Sequence, residues 1–256
     1  MVKKYWSKIE SFFELSFSIA KAEFKMRNEG SYLGVFWYLL NPLFMFALLF
    51  FVFSRKLGYH IKDYPAYLFL GIILFNIFQR TTIDSSNIII RNSSLLKSIK
   101  FSKEALVFAN ILKNLFSHLF ELGLFIILLL VLKIPLLGLI PYALVLFVFS
   151  IFIYGTSLIL SALTPYIVDL ENVWLFLSRI IWLATPIFYS IEGTRIAYIN
   201  FFNPIYYFIT IARDIMVYTK IPEPWLIFGS LFWALLSLVI GLLIFNKLKV
   251  KFAELI

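Results

Sequence analysis

Apolar positions along the chain gather into long runs, at about 34–54, 64–80, 108–132, 136–163, 172–190 and 225–246. Each comes near the roughly 20 residues that a helix rising 1.5 Å per residue needs to cross a bilayer. The pattern therefore predicts six transmembrane helices. A further apolar stretch, 196–217, is interrupted by Asn200, Asn203, Pro204, Arg213 and Asp214. Polar groups facing lipid are costly, so this stretch is predicted to enter the membrane as a re-entrant pair of short helices, inside an extracytoplasmic segment 191–222. Between residues 2 and 24 the period is helical, with Val2, Tyr5, Trp6, Ile9, Phe12, Phe13, Phe17, Ala20 and Phe24 on one face. Lys3, Lys4, Lys8 and Lys21 fall mostly elsewhere, which predicts an amphipathic helix within 1–30 lying in the cytoplasmic interface. The same pattern also suits a plain topological anchor.

These elements define an all-α fold class: a polytopic membrane protein with six transmembrane helices, an N-terminal amphipathic interface helix and a re-entrant segment between helices 5 and 6. No internal repeat or composition shift marks a second domain, so 1–256 reads as a single transmembrane domain.

Composition strengthens the membrane reading. The chain is 62% hydrophobic and 14% charged, whereas soluble domains carry roughly 45–50% apolar and about 25% charged residues. The surplus apolar surface has to face lipid. The net charge of +9 would suit a nucleic-acid binder, but the basic residues sit in loops beside apolar runs, where they report topology. With the N-terminus inside, 14 Lys and Arg fall in cytoplasmic segments and 7 outside, with Lys113 and Arg179 in or beside spans. The positive-inside rule thus places both ends in the cytoplasm. Charged residues spread through the N-terminal stretch with no short apolar core behind them, so no cleavable signal is expected there.

Motifs for chemistry are sparse. There is no cysteine, no G-x-x-x-x-G-K-[ST] phosphate loop, no G-x-S-x-G elbow and no H-E-x-x-H pair. The two histidines, His60 and His118, make no metal-ligand spacing, and neither catalytic residues nor a metal site is predicted. The segment 81–105 is polar but studded with Ile88, Ile89, Ile90, Leu95, Leu96, Ile99 and Phe101. Short amphipathic helices there, with Asp84, Ser93 and Ser102 as N-caps, would offer a docking surface for a soluble protein. A solvated connector fits the same residues.

The run AEFKMRNEGSYLGVFWYLLNPLFMFALLFFVFS (22–54) resembles the opening of the membrane subunits of ABC (ATP-binding-cassette) polysaccharide exporters. NSSLLKSIKFSKEAL (92–106), WLATPIFYS (182–190) and FFNPIYYFITIARDIM (201–216) are similar, in order, to later parts of the same proteins. Asn28-Glu29 departs from the basic or small pair usual there. The resemblance implies a permease that acts as a homodimer with two copies of a separate ABC ATPase, which would carry the ATP and Mg; no cofactor is expected on this chain. The implied cargo is a lipid-linked polysaccharide, such as an O-antigen, teichoic acid or capsule chain, exported across the bacterial inner membrane. It also implies that Asp84, Ser85, Arg91, Asn92, Leu95, Leu96 and Lys97 meet the ATPase, and that Tyr32, Leu33 and Gly34 form an elbow at the pore mouth.

A sugar chain needs a wet path lined by aromatic faces and hydrogen-bonding groups. Trp174, Ser178, Trp182, Thr185 and Tyr189 recur at helical spacing, as do Tyr38, Asn41 and Met45 with Trp37 beside them. These two faces are expected to line the conduit, although aromatic belts and small polar packing contacts give similar patterns. Glu121 lies deep in the third span, where a carboxylate needs a partner, and Arg179 at similar depth is the expected one. The competing readings are a membrane-embedded enzyme, or an ATP-independent flippase, acting on lipid-linked glycans. The first would require converging carboxylates or histidines, and the second internal repeats and more intramembrane charge.

Overall fold

A computed structural model describes residues 2–28, 34–98, 101–191 and 195–255. Among them every regular element is helical: α1 (Val2–Asn28), α2 (Trp37–Phe53), α3 (Tyr64–Ser86), α4 (Ile88–Arg91), α5 (Ser93–Ser98), α6 (Glu104–Val131), α7 (Leu139–Leu163), α8 (Leu170–Ala184), α9 (Pro204–Met216), α10 (Pro224–Leu248) and α11 (Phe252–Leu255), with short 3-10 turns between some of them. Four helical stretches, Tyr64–Ser86, Glu104–Val131, Leu136–Leu163 and Pro224–Lys251, are long and apolar enough to cross a membrane. Apolar α2 is shorter, at 17 residues, and α8 has 15.

The centre of the bundle is α3. Its residues from Leu68 to Phe75 are all buried, which suits a helix that is apolar on every face and packed on all sides. Packed around it are α2, α6, α7, α8 and α9. At the outer rim α7 and α10 run parallel: Phe152 meets Ser237, Gly155 meets Gly241, and Leu158 and Ala162 join the cluster of Phe245. A Cβ on Gly155 would stand 2.3 Å from the Ser237 carbonyl carbon, so the backbones touch only because the side chain is absent.

Several boundaries differ from the hydropathy pattern. The run 172–190 does not stay helical to its end. Pro186 forces Thr185 to an extended ψ of 133°, and α8 stops at Ala184. Conversely α3 continues beyond residue 80 to Ser86, so Asp84 lies inside a helix and caps none. Nor does Ser102 cap α6, whose N-cap position is Lys103, without a side-chain hydrogen bond. Helix α1 forms as expected, but its apolar face is matched to protein. Phe12 and Phe13 meet Phe108, Phe17 meets Phe116, and Phe24 meets Phe116 and Phe120. That ascending order means α1 runs alongside α6 in the same direction, burying Ser16 and Ala20 completely.

Candidate functional site

Polar residues of α6 form a seam into its neighbours. The amide of Asn110 donates to the Thr81 carbonyl (3.0 Å) and to Ser85 Oγ (2.8 Å) on α3. Lys113, nearly buried, lies 3.0 Å from Glu23 of α1 and 3.3 Å from Asp84 of α3. About two turns further along α6, Glu121 is fully buried and its Oε1 accepts from Arg80 Nη2 at 2.6 Å. Its other oxygen lies 3.1 Å from His118 Nδ1, and His118 Nε2 lies 2.8 Å from the Tyr142 hydroxyl. The carboxylate accepts from Nδ1–H, and Nε2 and the tyrosine hydroxyl share the second hydrogen bond. Arg179 is not the partner of Glu121 that the spacing predicts: it follows inward-facing Ser178 and is exposed. Arg80 takes its place because the extension of α3 carries that residue into the bundle.

Beyond α3 the segment 81–105 holds the short helices α4 and α5. Arg91 Nη2 donates to the Asp84 carbonyl at 2.6 Å, and the Asn92 amide to Ile88 at 2.9 Å. Ser85 is buried, Asn92, Leu95 and Leu96 are half-buried, and Arg91 and Lys97 are exposed. Of the elbow residues, Tyr32 and Leu33 lie outside the described residues. Gly34 has φ 44°, a left-handed conformation that glycine accepts without strain.

The two expected conduit faces differ. On α2, Trp37, Asn41 and Met45 are exposed, whereas Tyr38 turns inward, stacked on Phe24 at 5.9 Å with the Arg80 guanidinium 5.7 Å from its ring. Trp174, Ser178 and Trp182 on α8, and Thr185 at its C-cap, turn toward the interior of the bundle, while Tyr189 lies beyond the end of α8. Trp174 Nε1 donates to Thr82 (3.0 Å), Ser178 accepts from Gln79 (3.0 Å), and Thr185 accepts from Asn203 (2.8 Å). Trp182 packs on Phe188, and the Tyr189 hydroxyl donates to the Leu183 carbonyl. The face that α8 leaves open carries Val173, Phe176, Leu177, Ile180 and Leu183.

At the opposite end from α4, the sequence pattern gave no role to Arg213. This residue, 3% exposed, collects the carbonyls of Tyr67 (3.1 Å), Pro186 (2.7 Å) and Ile187 (2.9 Å), with its guanidinium 3.3 Å from the Tyr67 ring centre. Two of those carbonyls are freed where Pro186 breaks α8, and in an apolar setting they need a donor. Gly71 makes room, since a Cβ there would lie 2.6 Å from Arg213 Nη2. A cavity of about 440 Å³ opens beside this clamp, lined in part by His60, Tyr206, Tyr218 and the Asp214–Lys220 pair at 3.0 Å. Within 195–216 a 3-10 helix gives way to α9 at Asn203, which bonds Thr185 at the broken end of α8, while Arg213 ten residues later reaches Tyr67 near the start of α3.

Long apolar helices, an outer surface of exposed Phe, Leu and Ile, and a polar seam closed by internal pairing describe a multi-pass membrane protein. Among the described residues no group of three His, Cys, Asp or Glu could hold a metal. Residues 14–217 match the ABC-2 type transporter family, and the chain belongs to it. It is a transport component rather than an enzyme. The O-antigen export system permease protein RfbA of Klebsiella pneumoniae is 26% identical over 253 residues, covering 95% of each chain. A second RfbA from that organism is 25% identical over 248 residues, again 95% of each. The protein of that name from Myxococcus xanthus is 25% identical over 255 residues, 94% of each.

Proposed function

We propose that this chain is the membrane subunit of an ATP-driven exporter moving a lipid-linked, O-antigen-like polysaccharide across the bacterial inner membrane. The observation that carries this reading is the end-to-end match to permeases named for O-antigen export. Six helices, α2, α3, α6, α7, α8 and α10, would span the bilayer, with the two helical pieces that meet at Asn203 re-entrant and both ends cytoplasmic. Two copies would form the pore. The open faces of α2 and α8, on either side of α3, are apolar surfaces without a partner in one protomer, which supports a dimer closed through them. Trp37, Asn41 and Met45 would line the conduit, with half-exposed Trp174, Trp182 and Tyr189 reached from the inner side. A separate ABC ATPase, two copies per complex, would supply ATP hydrolysis and its Mg, docking on α4, α5 and their flanks.

The test is co-purification with the ATPase encoded beside this chain, followed by export of labelled glycan in cells lacking their own permease. The reading predicts a complex with two copies of each subunit, ATPase activity raised by lipid-linked glycan, and restored surface glycan. A chain that restores export without any ATPase, or that binds none, would overturn it.

A further inference from the structure

At the end of the bundle where α7 and α10 finish and α6 begins, a cleft of about 660 Å³ opens between α1, α6, α7 and α10. Its polar wall is Ser102, Lys103, Glu104 and Lys249. Lys249 is paired with Glu104, so one positive charge remains, on Lys103. That ammonium donates to a neutral acceptor, the Lys249 carbonyl at 2.8 Å, and rests 5.2 Å from the centre of the Phe252 ring. Burial, and then the neighbouring Lys249 ammonium, lower its pKa from the ordinary lysine value. The site has room and charge for a further anion.

The cleft continues as an apolar groove. Tyr154 lines both, and beyond it lies a cavity of about 490 Å³. Each helix enters it in order of depth: Phe108, Leu112 and Leu115 along α6, and Ile151 and then Phe147 along α7. Helix α10 gives Leu242 to the cleft and Leu238 to the groove. Eleven residues separate Glu104 from Leu115, about 17 Å at 1.5 Å per residue. That is close to half of a hydrocarbon core of about 30 Å. A single positive charge at the interface, above an apolar channel one leaflet deep, is the outline of one lipid molecule.

We propose that this cleft and groove form a binding site for an anionic glycerophospholipid of the leaflet that meets both chain ends, its phosphodiester on Lys103 and one acyl chain between α6 and α7. The acyl chain gains little by leaving other lipid, since both surroundings are apolar. Selectivity therefore rests on the headgroup charge. A bound lipid would fasten α1 and the tail after α10 to α6, because Phe12 and Val250 close the cleft from those two elements.

The full-length chain in detergent, titrated with phosphatidylglycerol or with phosphatidylcholine of the same acyl chains and weighed by native mass spectrometry, tests this. The wild type should retain phosphatidylglycerol preferentially. Lys103→Gln should cut that preference about fivefold. Lys133→Gln, at the other end of α6, should leave it unchanged. Ser150→Phe, filling the groove from α7 where Ser150 bonds only its own helix at Leu146, should weaken retention of both lipids and leave their ratio intact. Equal retention of the two lipids by the wild type, or equal effects of Lys103→Gln and Lys133→Gln, would overturn the proposal. So would a polyprenyl phosphate that displaces phosphatidylglycerol at equal concentration, which would assign the groove to cargo. Where Ser150→Phe does not give monodisperse protein, the two lysine variants decide alone.

Discussion

Replacing Arg213 should reveal how much of the fold depends on one side chain. Its guanidinium supplies three carbonyls on two separate segments, Tyr67 of α3 and Pro186 and Ile187 beyond α8. Arg213→Met keeps the apolar stem and leaves those acceptors without that donor in a buried site. Interhelical hydrogen bonds in lipid average about 0.6 kcal/mol, and bonds to charged groups reach about 3 kcal/mol. Three of them give on the order of 2 to 9 kcal/mol, the lower end allowing for the relief of no longer burying a charge. At about 2–4 °C per kcal/mol for a chain of this size, the melting midpoint should fall by at least about 4 °C. Arg213→Lys keeps the charge but cannot span all three acceptors, so most of the loss should persist. Gly71→Ala approaches the same clamp from α3, and its cost should not add to that of Arg213→Met, because both displace one guanidinium. Thermal unfolding in detergent, followed by loss of the monodisperse gel-filtration peak, reads all of these. An Arg213→Met midpoint within 1 °C of wild type would refute the account of the clamp.

Arg80→Met should destabilise the protein by about 3–5 kcal/mol by stranding the buried Glu121 carboxylate, and the double variant Arg80→Met/Glu121→Leu should recover most of it. A double variant no more stable than the single one in the same melt would count against the pairing. Gly155→Ala should cost about 1–3 kcal/mol by forcing the α10 backbone away, and Gly155→Ala with Gly241→Ala more still, read by the same midpoint. Alanine at Trp37 and Met45, both on the open face of α2, should lower glycan export several-fold while leaving ATPase assembly intact. Unchanged export in a permease-deficient strain would remove those residues from the conduit.

Hydropathy located the four long helices because each is predominantly apolar and keeps its backbone polar groups inside its own hydrogen-bond ladder, which is what lipid demands. It could not mark the two proline effects with the same accuracy. Pro186 ends α8 by restricting Thr185, a local backbone constraint inside an otherwise apolar run. Pro42, by contrast, sits within α2 without ending it. The inward turn of Trp174, Ser178 and Thr185 was not legible either. Their spacing showed that they share a face, but periodicity does not say which neighbour that face meets. For Trp174 and Ser178 the partner proved to be α3, whose Thr82 and Gln79 supply the matching groups, and for Thr185 it is Asn203. Arg213 was visible only as an interruption, since its role depends on carbonyls that exist nowhere until α8 breaks.

The polar end of α3 shows why depth along the spans pairs Glu121 with the wrong arginine. Leu68 to Phe78 are apolar apart from Asn76, and from Gln79 onward the chain reads Gln-Arg-Thr-Thr-Ile-Asp-Ser-Ser, which hydropathy takes for a loop. A helix persists there because α6 answers it in kind: Asn110 against Thr81 and Ser85, Lys113 against Asp84. Neither strip would be stable alone, since each would bury polar groups without partners. Matched, they hold the helix for one and a half more turns and raise Arg80 from a presumed surface anchor to the partner of Glu121. Moving Arg80 out of the loop inventory leaves 13 Lys and Arg in the segments expected inside against 7 in those expected outside, so the charge count still favours the same orientation. Depth in a membrane protein is thus set by which polar strips find each other, and a residue's distance from the last apolar position is a poor guide to it.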